Sequence, residues 1–384
     1  MASNGSDDQV LIEENQYVRT LTLNRPRQLN ALSHRMISLL LKAFADFKED
    51  PTVKLVILKG KGRAFCAGGD VAAVAHSVTE GHWGLGAAFF RDEFTLNYIM
   101  ATYRKPQVSI LTGIVMGGGA GVSIHGKFRV VTENSVFAMP ETALGLFPDI
   151  GASYFLSRLP GFFGEYVGLT GVRLDGAEML ACGLATHFVS SAKLPLLEEA
   201  LMKVDTTDPS VISAIIDRFS QKVHVKAKSA YNRLDIIDRC FSKRTIEDIK
   251  SAIELEAVKG AEEWISAAIQ SLNKASPFSL KLYLRSIREG RLQGIDQCLI
   301  REFRMVCHVL KSEVSRDFFE VSGNKSLAST GCRAILVDKD KNPKWEPSKL
   351  ELITDEMVDR YFTSVDDEGW VDLNLTSIQR NSKL

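Results

Sequence analysis

The chain has 384 residues, with 47 lysines and arginines against 47 aspartates and glutamates, so its formal net charge is zero. That balance lacks the basic excess that holds a phosphate backbone, which excludes nucleic acid as an expected partner. Hydrophobic residues make up 45% and charged residues 24%, the composition of a folded chain long enough for two or three compact units.

No apolar run approaches the ~20 residues of a membrane span. The polar, acidic start predicts neither a secretory signal nor an Arg-rich transit peptide. The first expected strand covers residues 17–23 and stops at Arg25-Pro26. A helix follows, with Ser33 as N-cap and Met36, Leu39, Leu40, Ala43, Phe44 and Phe47 along one face. Residues 55–58 form an unbroken apolar run, as a strand covered on both sides requires. Alternation of strand and helix predicts an α/β fold.

Of 28 glycines, 21 fall between Gly60 and Gly183, so tight turns and any site built from backbone should concentrate there. Residues 108–111 read as a strand that leads through Gly113 to Gly117-Gly118-Gly119 and a helix over 120–125. A short strand over 135–139 ends at Pro140-Glu141. Beyond Gly183 the texture is helical. Ser276-Pro277 opens one helix that Gly290 should cap, and Ile295, Leu299, Phe303, Val306 and Leu310 mark the next. Residues 321–330, small and polar, read as a surface loop. The six cysteines are far apart, without metal-ligand spacing, and are expected as reduced, mostly buried thiols.

Three segments can carry chemistry. Residues 63–70 end in Gly68-Gly69-Asp70, where paired glycines let a backbone N–H face a cavity; taken alone, the segment reads first as an ordinary strand-to-helix turn. Gly117-Gly118-Gly119 offers unpaired amides at a helix start, and two such amides aimed at one point make an oxyanion hole. It matches neither the dinucleotide fingerprint nor a phosphate loop. Ser123 lacks the closing glycine of a nucleophile elbow, since His125 occupies that position. Residues 137–151 place Glu141 and Asp149, each after a proline, in an otherwise almost wholly apolar stretch. Desolvation there raises a carboxyl pKa toward values useful for proton transfer, although both acids could instead cap local turns.

Taken in order, Leu23-Asn24-Arg25-Pro26 with Asn30-Ala31-Leu32, Phe65-Cys66-Ala67-Gly68-Gly69-Asp70, Gly113 to Gly119 and Pro140-Glu141 resemble the crotonase (enoyl-CoA hydratase/isomerase) superfamily. Within it the chain resembles the 3-hydroxyisobutyryl-CoA hydrolase branch in its peroxisomal, plant-like form. The branch pattern appears at residues 116–121 and 137–149, with a late block from Arg333-Ala334 through Asp338-Lys339-Asp340 to Pro343 and Trp345. Residues 321–330 look like an insertion between Glu320 and Gly331.

The resemblance implies an α/β fold, a crotonase-type spiral of ββα units, with a mainly helical C-terminal region. It divides the chain into a catalytic core over 9–200, a helical region over 201–375 and a flexible tail over 376–384. It implies oxyanion-hole amides at Gly69 and Gly118, with Glu141 as nucleophile or general base. Asp149 would bind the substrate hydroxyl and help deliver protons, and Glu93, Gly118, Glu141 and Asp149 would contact substrate. A solvated helix-face charge is the other reading of Glu93. Where hydratases carry their first catalytic glutamate this chain has Gly121, which puts hydration in doubt. The expected activity is hydrolysis of an acyl-CoA thioester, 3-hydroxyisobutyryl-CoA in valine catabolism, without metal or cofactor beyond the coenzyme A of the substrate. The rivals are an enoyl-CoA isomerase or other short-chain acyl-CoA enzyme, and a non-catalytic acyl-CoA-binding protein. Ser382-Lys383-Leu384 is the tripeptide read by the peroxisomal import receptor when it forms a free carboxy terminus, so a peroxisomal location is expected. Members of the family often form trimers, and an oligomer is compatible with this reading.

Overall fold

The computed structural model describes residues 8–71, 74, 82–260, 262–318, 331–332, 334–335, 339–340 and 342–375. The expected insertion at 321–330, the tail over 376–384 with Ser382-Lys383-Leu384, and Arg333 and Asp338 of the late block lie outside the described residues. The chain divides into two compact units that interleave along the sequence. One comprises Met1–Gly69, Thr95–Phe137 and Arg173–Val225; the other comprises Asp70–Phe94, Ala138–Val172 and Lys226–Leu384.

The first unit is α/β. Strands β1 (Val10–Asn15) and β2 (Val18–Leu23) form an antiparallel hairpin with Val10 opposite Leu23 and Asn15 opposite Val18. Gln16 supplies the positive φ, 45°, that its two-residue turn needs. Strands β3 (Leu55–Gly60), β4 (Ala64–Cys66), β5 (Gln107–Leu111), β6 (Ile114–Met116), β7 (Phe128–Val131), β8 (Val136–Ala138), β9 (Leu174–Asp175) and β10 (His187–Phe188) follow. A six-stranded sheet runs β1-β2-β3-β5-β7-β10, parallel from β2 onward, and a smaller one runs β4-β6-β8-β9. Parallel strands need cover on both faces, which is why β3 opens on four consecutive buried apolar residues. Val18, Leu55, Ile57, Val108, Ile110 and Val130 form one buried core with Leu197, Leu201, Ile212 and Ile216 of the helices Leu194–Leu201 and Pro209–Asp217.

Helix α1 (His34–Glu49) begins where expected: the Ser33 hydroxyl accepts from the Met36 N–H at 3.1 Å, and Met36, Leu40, Ala43, Phe44 and Phe47 are buried. Two expectations need correction. The helix expected over 120–125 is a single turn, α3 (Gly118–Gly121), with three glycines in four residues. Glycine pays the largest backbone entropy in a helix, and the Ser123 hydroxyl donates back to the Gly119 carbonyl at 2.7 Å, so the chain leaves the helix there. Gly290 is the last residue of its helix, with Arg291 as the C-cap. A side chain at Gly290 would come within 2.2 Å of the Ser153 carbonyl oxygen, so close packing requires the glycine. Strand β1 escaped the sequence reading because most of it is exposed and polar, as edge strands often are.

The second unit is mainly helical. The helices Phe163–Thr170, Leu234–Phe241, Ile246–Lys259, Glu263–Lys274, Pro277–Gly290, Ile295–Lys311 and Asp355–Tyr361 belong to it. Tyr166 makes edge-on contacts with Phe241 and Trp264, and the Tyr283 hydroxyl donates to the Gly164 carbonyl at 3.0 Å. Helix α2 (Trp83–Ala101) supplies residues to both units. Among the described residues no helix is long and apolar enough to cross a membrane. All six cysteines are buried and none forms a disulfide, in keeping with the reduced, mostly buried thiols expected.

Candidate active site

In the first unit the two glycine turns meet. Gly69 bridges in parallel fashion to Leu32, whose N–H donates to the Gly68 carbonyl at 2.8 Å. In such a bridge the peptide N–H of Gly69 faces away from the Leu32 strand. Gly68 has a φ of 120°, and a side chain built on it would lie 3.9 Å from the Gly118 nitrogen and 3.5 Å from the Met116 oxygen. Gly119 faces Cys66 so closely that a methyl group would sit 2.3 Å from the Cys66 carbonyl oxygen. The turns carrying Gly69 and Gly118 are therefore held backbone to backbone. Among the described residues neither the Gly69 nor the Gly118 N–H has a backbone acceptor. With only one helical turn behind Gly118, these individual N–H groups, not a macrodipole, are what can hold a negative oxygen. Ser123 is fully buried, and its hydroxyl donates to the Gly119 and Ala120 carbonyls.

In the second unit the structure gathers carboxyl groups. Glu93 lies on α2 beside Phe90 and Phe94; it is 2% exposed and not the solvated helix-face charge of the alternative reading. Glu141 opens the 3-10 turn Glu141–Leu144 directly after β8 and Pro140, and Asp149 precedes the short helix Ala152–Phe155. Burial pushes the Glu93 carboxyl up to about 8. Burial first, and then the charge of Glu93, does the same for Glu141, also to about 8. Burial raises Asp149 well above the usual carboxylate range, and Glu93, Glu141 and Glu302 add repulsion. Among the described residues neither Glu93 Oε1 nor Glu141 Oε2 has a hydrogen-bond partner. An unpartnered buried carboxyl oxygen is costly and points to a role met only when a ligand arrives. Among the described residues no group of three or more His, Cys, Asp or Glu is placed to hold a metal ion.

Two further acids escaped the sequence reading. Asp317 is 1% exposed. Its Oδ2 accepts from the Ser276 hydroxyl at 2.5 Å and its Oδ1 from the Glu346 N–H at 2.7 Å. Ser276 in turn donates its N–H to the Thr142 carbonyl at 3.0 Å, and Gly145, at φ 83°, would meet the Asp317 backbone at 2.3 Å if it carried a side chain. The turn bearing Glu141 is thus tied to the C-terminal region. Burial raises Asp317 to about 6. Glu302 is fully buried on the helix Ile295–Lys311 and accepts three hydrogen bonds from Gly151 and Ser153. A signal for Glu302 existed: it stands three residues after Leu299 and four before Val306, inside the apolar stripe of its own helix.

Residues 18–362 match the enoyl-CoA hydratase/isomerase family. The chain is 67% identical over 363 residues to 3-hydroxyisobutyryl-CoA hydrolase 1 of Arabidopsis thaliana, covering 94% of this chain and 93% of the relative. It is 43% identical over 377 residues to a protein of the same plant named small ribosomal subunit protein mS47, covering 97% and 90%. A solved structure of a carnitinyl-CoA dehydratase from Mycobacterium thermoresistibile superposes with a TM-score of 0.84 at 33% identity, covering 96% of this chain and 99% of that one. The α/β fold with a mainly helical C-terminal region, expected from sequence, is the fold shared with this neighbour.

Proposed function

Because the chain belongs to the enoyl-CoA hydratase/isomerase family, we infer that it is an acyl-CoA thioester hydrolase whose substrate is 3-hydroxyisobutyryl-CoA, an intermediate of valine breakdown. The observation that carries the reading is chemical: Glu141 presents a buried carboxyl oxygen with no hydrogen-bond partner among the described residues, while Gly121 stands where hydratases carry their first catalytic glutamate.

In this reading the N–H groups of Gly69 and Gly118 hold the thioester oxygen as negative charge develops on it. One such donor is worth about 3–4 kcal/mol of transition-state stabilisation. Glu141 in its ionised form takes a proton from the water that attacks the thioester carbon, or attacks that carbon itself, in which case water afterwards cleaves the resulting anhydride and restores the carboxylate. The carbon–sulfur bond breaks and coenzyme A leaves as thiolate. Asp149, held protonated by its surroundings, binds the substrate hydroxyl and supplies protons; Glu93 completes the acid side of the acyl site. No cofactor beyond the coenzyme A of the substrate enters these steps.

The test is a panel of short 3-hydroxyacyl-CoA thioesters with release of free thiol as the readout. Fastest turnover of 3-hydroxyisobutyryl-CoA supports the reading. Conversion of a 3-enoyl-CoA to its conjugated isomer without thiol release would replace it with an isomerase. Tight thioester binding with no turnover would place the chain with a non-catalytic role. Import into peroxisomes is proposed for the case in which Ser382-Lys383-Leu384 forms a free carboxy terminus. A fluorescent reporter ending in those residues should enter peroxisomes, and its loss of import on deleting Leu384 is the matching control.

A further inference from the structure

We propose that Glu302 is a positioning residue for Asp149, fixing the turn that carries it. The inference rests on the thioester-hydrolase reading for its kinetic consequence, not for its geometry.

The segment Asp149-Ile150-Gly151 would not hold its shape by itself. Ile150 has a φ of 57° and Gly151 a φ of 80°. A β-branched residue in the left-handed region is a genuine outlier, and such conformations persist where surrounding structure over-determines them. Glu302 provides that determination. Its Oε2 accepts from the Gly151 N–H at 2.6 Å, and its Oε1 accepts from the Ser153 N–H at 3.0 Å and the Ser153 hydroxyl at 2.5 Å. Arg301 closes the arrangement, donating from Nη2 to the Ser153 hydroxyl at 2.8 Å and to the Ser286 carbonyl at 2.9 Å. The close packing of Gly290 on the Ser153 carbonyl blocks retreat on the other side.

Three donors converging on one side chain select a carboxylate. It has acceptor sites on both oxygens and no hydrogen to clash, whereas a glutamine would turn an NH2 group toward either the Gly151 or the Ser153 N–H. The charge matters as well. Asp149 faces Glu93 from α2, Glu141 from its 3-10 turn and Glu302 from the helix Ile295–Lys311, and all three oppose its ionisation. Glu302 itself faces the cation Arg301, and its charge also acts on Cys298 and Tyr283. Of the three acids around Asp149, only Glu302 has both oxygens tied to backbone, so it acts through Asp149 and not on the substrate.

The experiment measures kcat and KM for 3-hydroxyisobutyryl-CoA over about pH 5 to 9 in the wild type, Glu302→Gln and Glu302→Asp. Glu302→Gln should lower kcat about 10- to 100-fold with KM within about twofold of wild type. The alkaline limb of its kcat profile should move down by about half a pH unit or more, because Asp149 loses a repelling charge and gives up its proton sooner. Glu302→Asp keeps the charge but not the reach, so kcat should fall while the limb stays in place. Folded Glu302→Gln with wild-type kcat and profile, or with a change in KM alone, overturns the proposal. If Glu302→Gln does not fold, Ser153→Ala reads the same clamp, and an unchanged kcat there overturns it. A wild type without thiol release refutes the hydrolase reading instead. Hydrogen exchange at the Gly151 and Ser153 amides then decides the clamp: about 10-fold or faster exchange in Glu302→Gln supports it, and unchanged exchange rejects it.

Discussion

Glu141 shows at the scale of one residue how burial makes a reagent of a carboxyl group. Its ionised form is the one that can attack or abstract, and burial together with Glu93 holds that form back until about pH 8. The sign of the pH dependence follows: kcat/KM should climb as pH rises toward that value. Glu93→Gln removes the acid whose ionisation competes with that of Glu141 and should move this acid limb to lower pH by about half a unit or more, read from a kcat/KM profile. An unmoved limb would detach Glu93 from Glu141. Glu141 and Asp149 were legible in the sequence because two acids in an apolar stretch are conspicuous. The burial of Glu93 was not, since a charge among phenylalanines on one helix reads the same whether that face meets solvent or core.

Turns are the elements that carry the candidate residues within each unit, and they are held by contacts between distant parts of the chain. The glycine turns of Gly69 and Gly118 stay together because Gly119 lets the chain approach Cys66 without an intervening side chain. Gly119→Ala would place a methyl group 2.3 Å from the Cys66 carbonyl oxygen, and the turns must part. We expect kcat to fall by about 100-fold or more, the scale of losing one oxyanion donor, with the fold retained by circular dichroism. Near-normal kcat would mean that the spacing of these turns is irrelevant. The glycines themselves announced the turns in the sequence; their convergence did not follow from spacing, since only the pairing of β4 with β6 sets one turn beside the other. Likewise, the ties from Asp317 and Glu302 to the turns of Glu141 and Asp149 span more than a hundred residues, and no local pattern displays them.

For the whole molecule, several buried acids cost stability that depends on pH. Glu93, Glu141, Asp149, Glu302 and Asp317 are all raised, with burial the first cause in each. A raised acid favours the folded state below its unfolded pKa, and that contribution is lost as pH climbs through the folded value. For Glu93 the window runs from 4.5 to about 8, with a slope of up to about 1.4 kcal/mol per pH unit. The melting temperature of Glu93→Gln relative to wild type should therefore rise by about 2 °C or more between pH 5 and pH 8. A constant difference would show that Glu93 is not held neutral by the fold. The α/β class and the start of α1 were readable from periodicity and capping, whereas the interleaving of the two units was not, because each is assembled from three stretches of chain. The account of function stands on Glu141, and the most direct measurement is release of free coenzyme A from 3-hydroxyisobutyryl-CoA by Glu141→Ala beside the wild type, with thioester binding measured on both. Thiol release should vanish in the variant while binding persists; near-normal release would contradict the account.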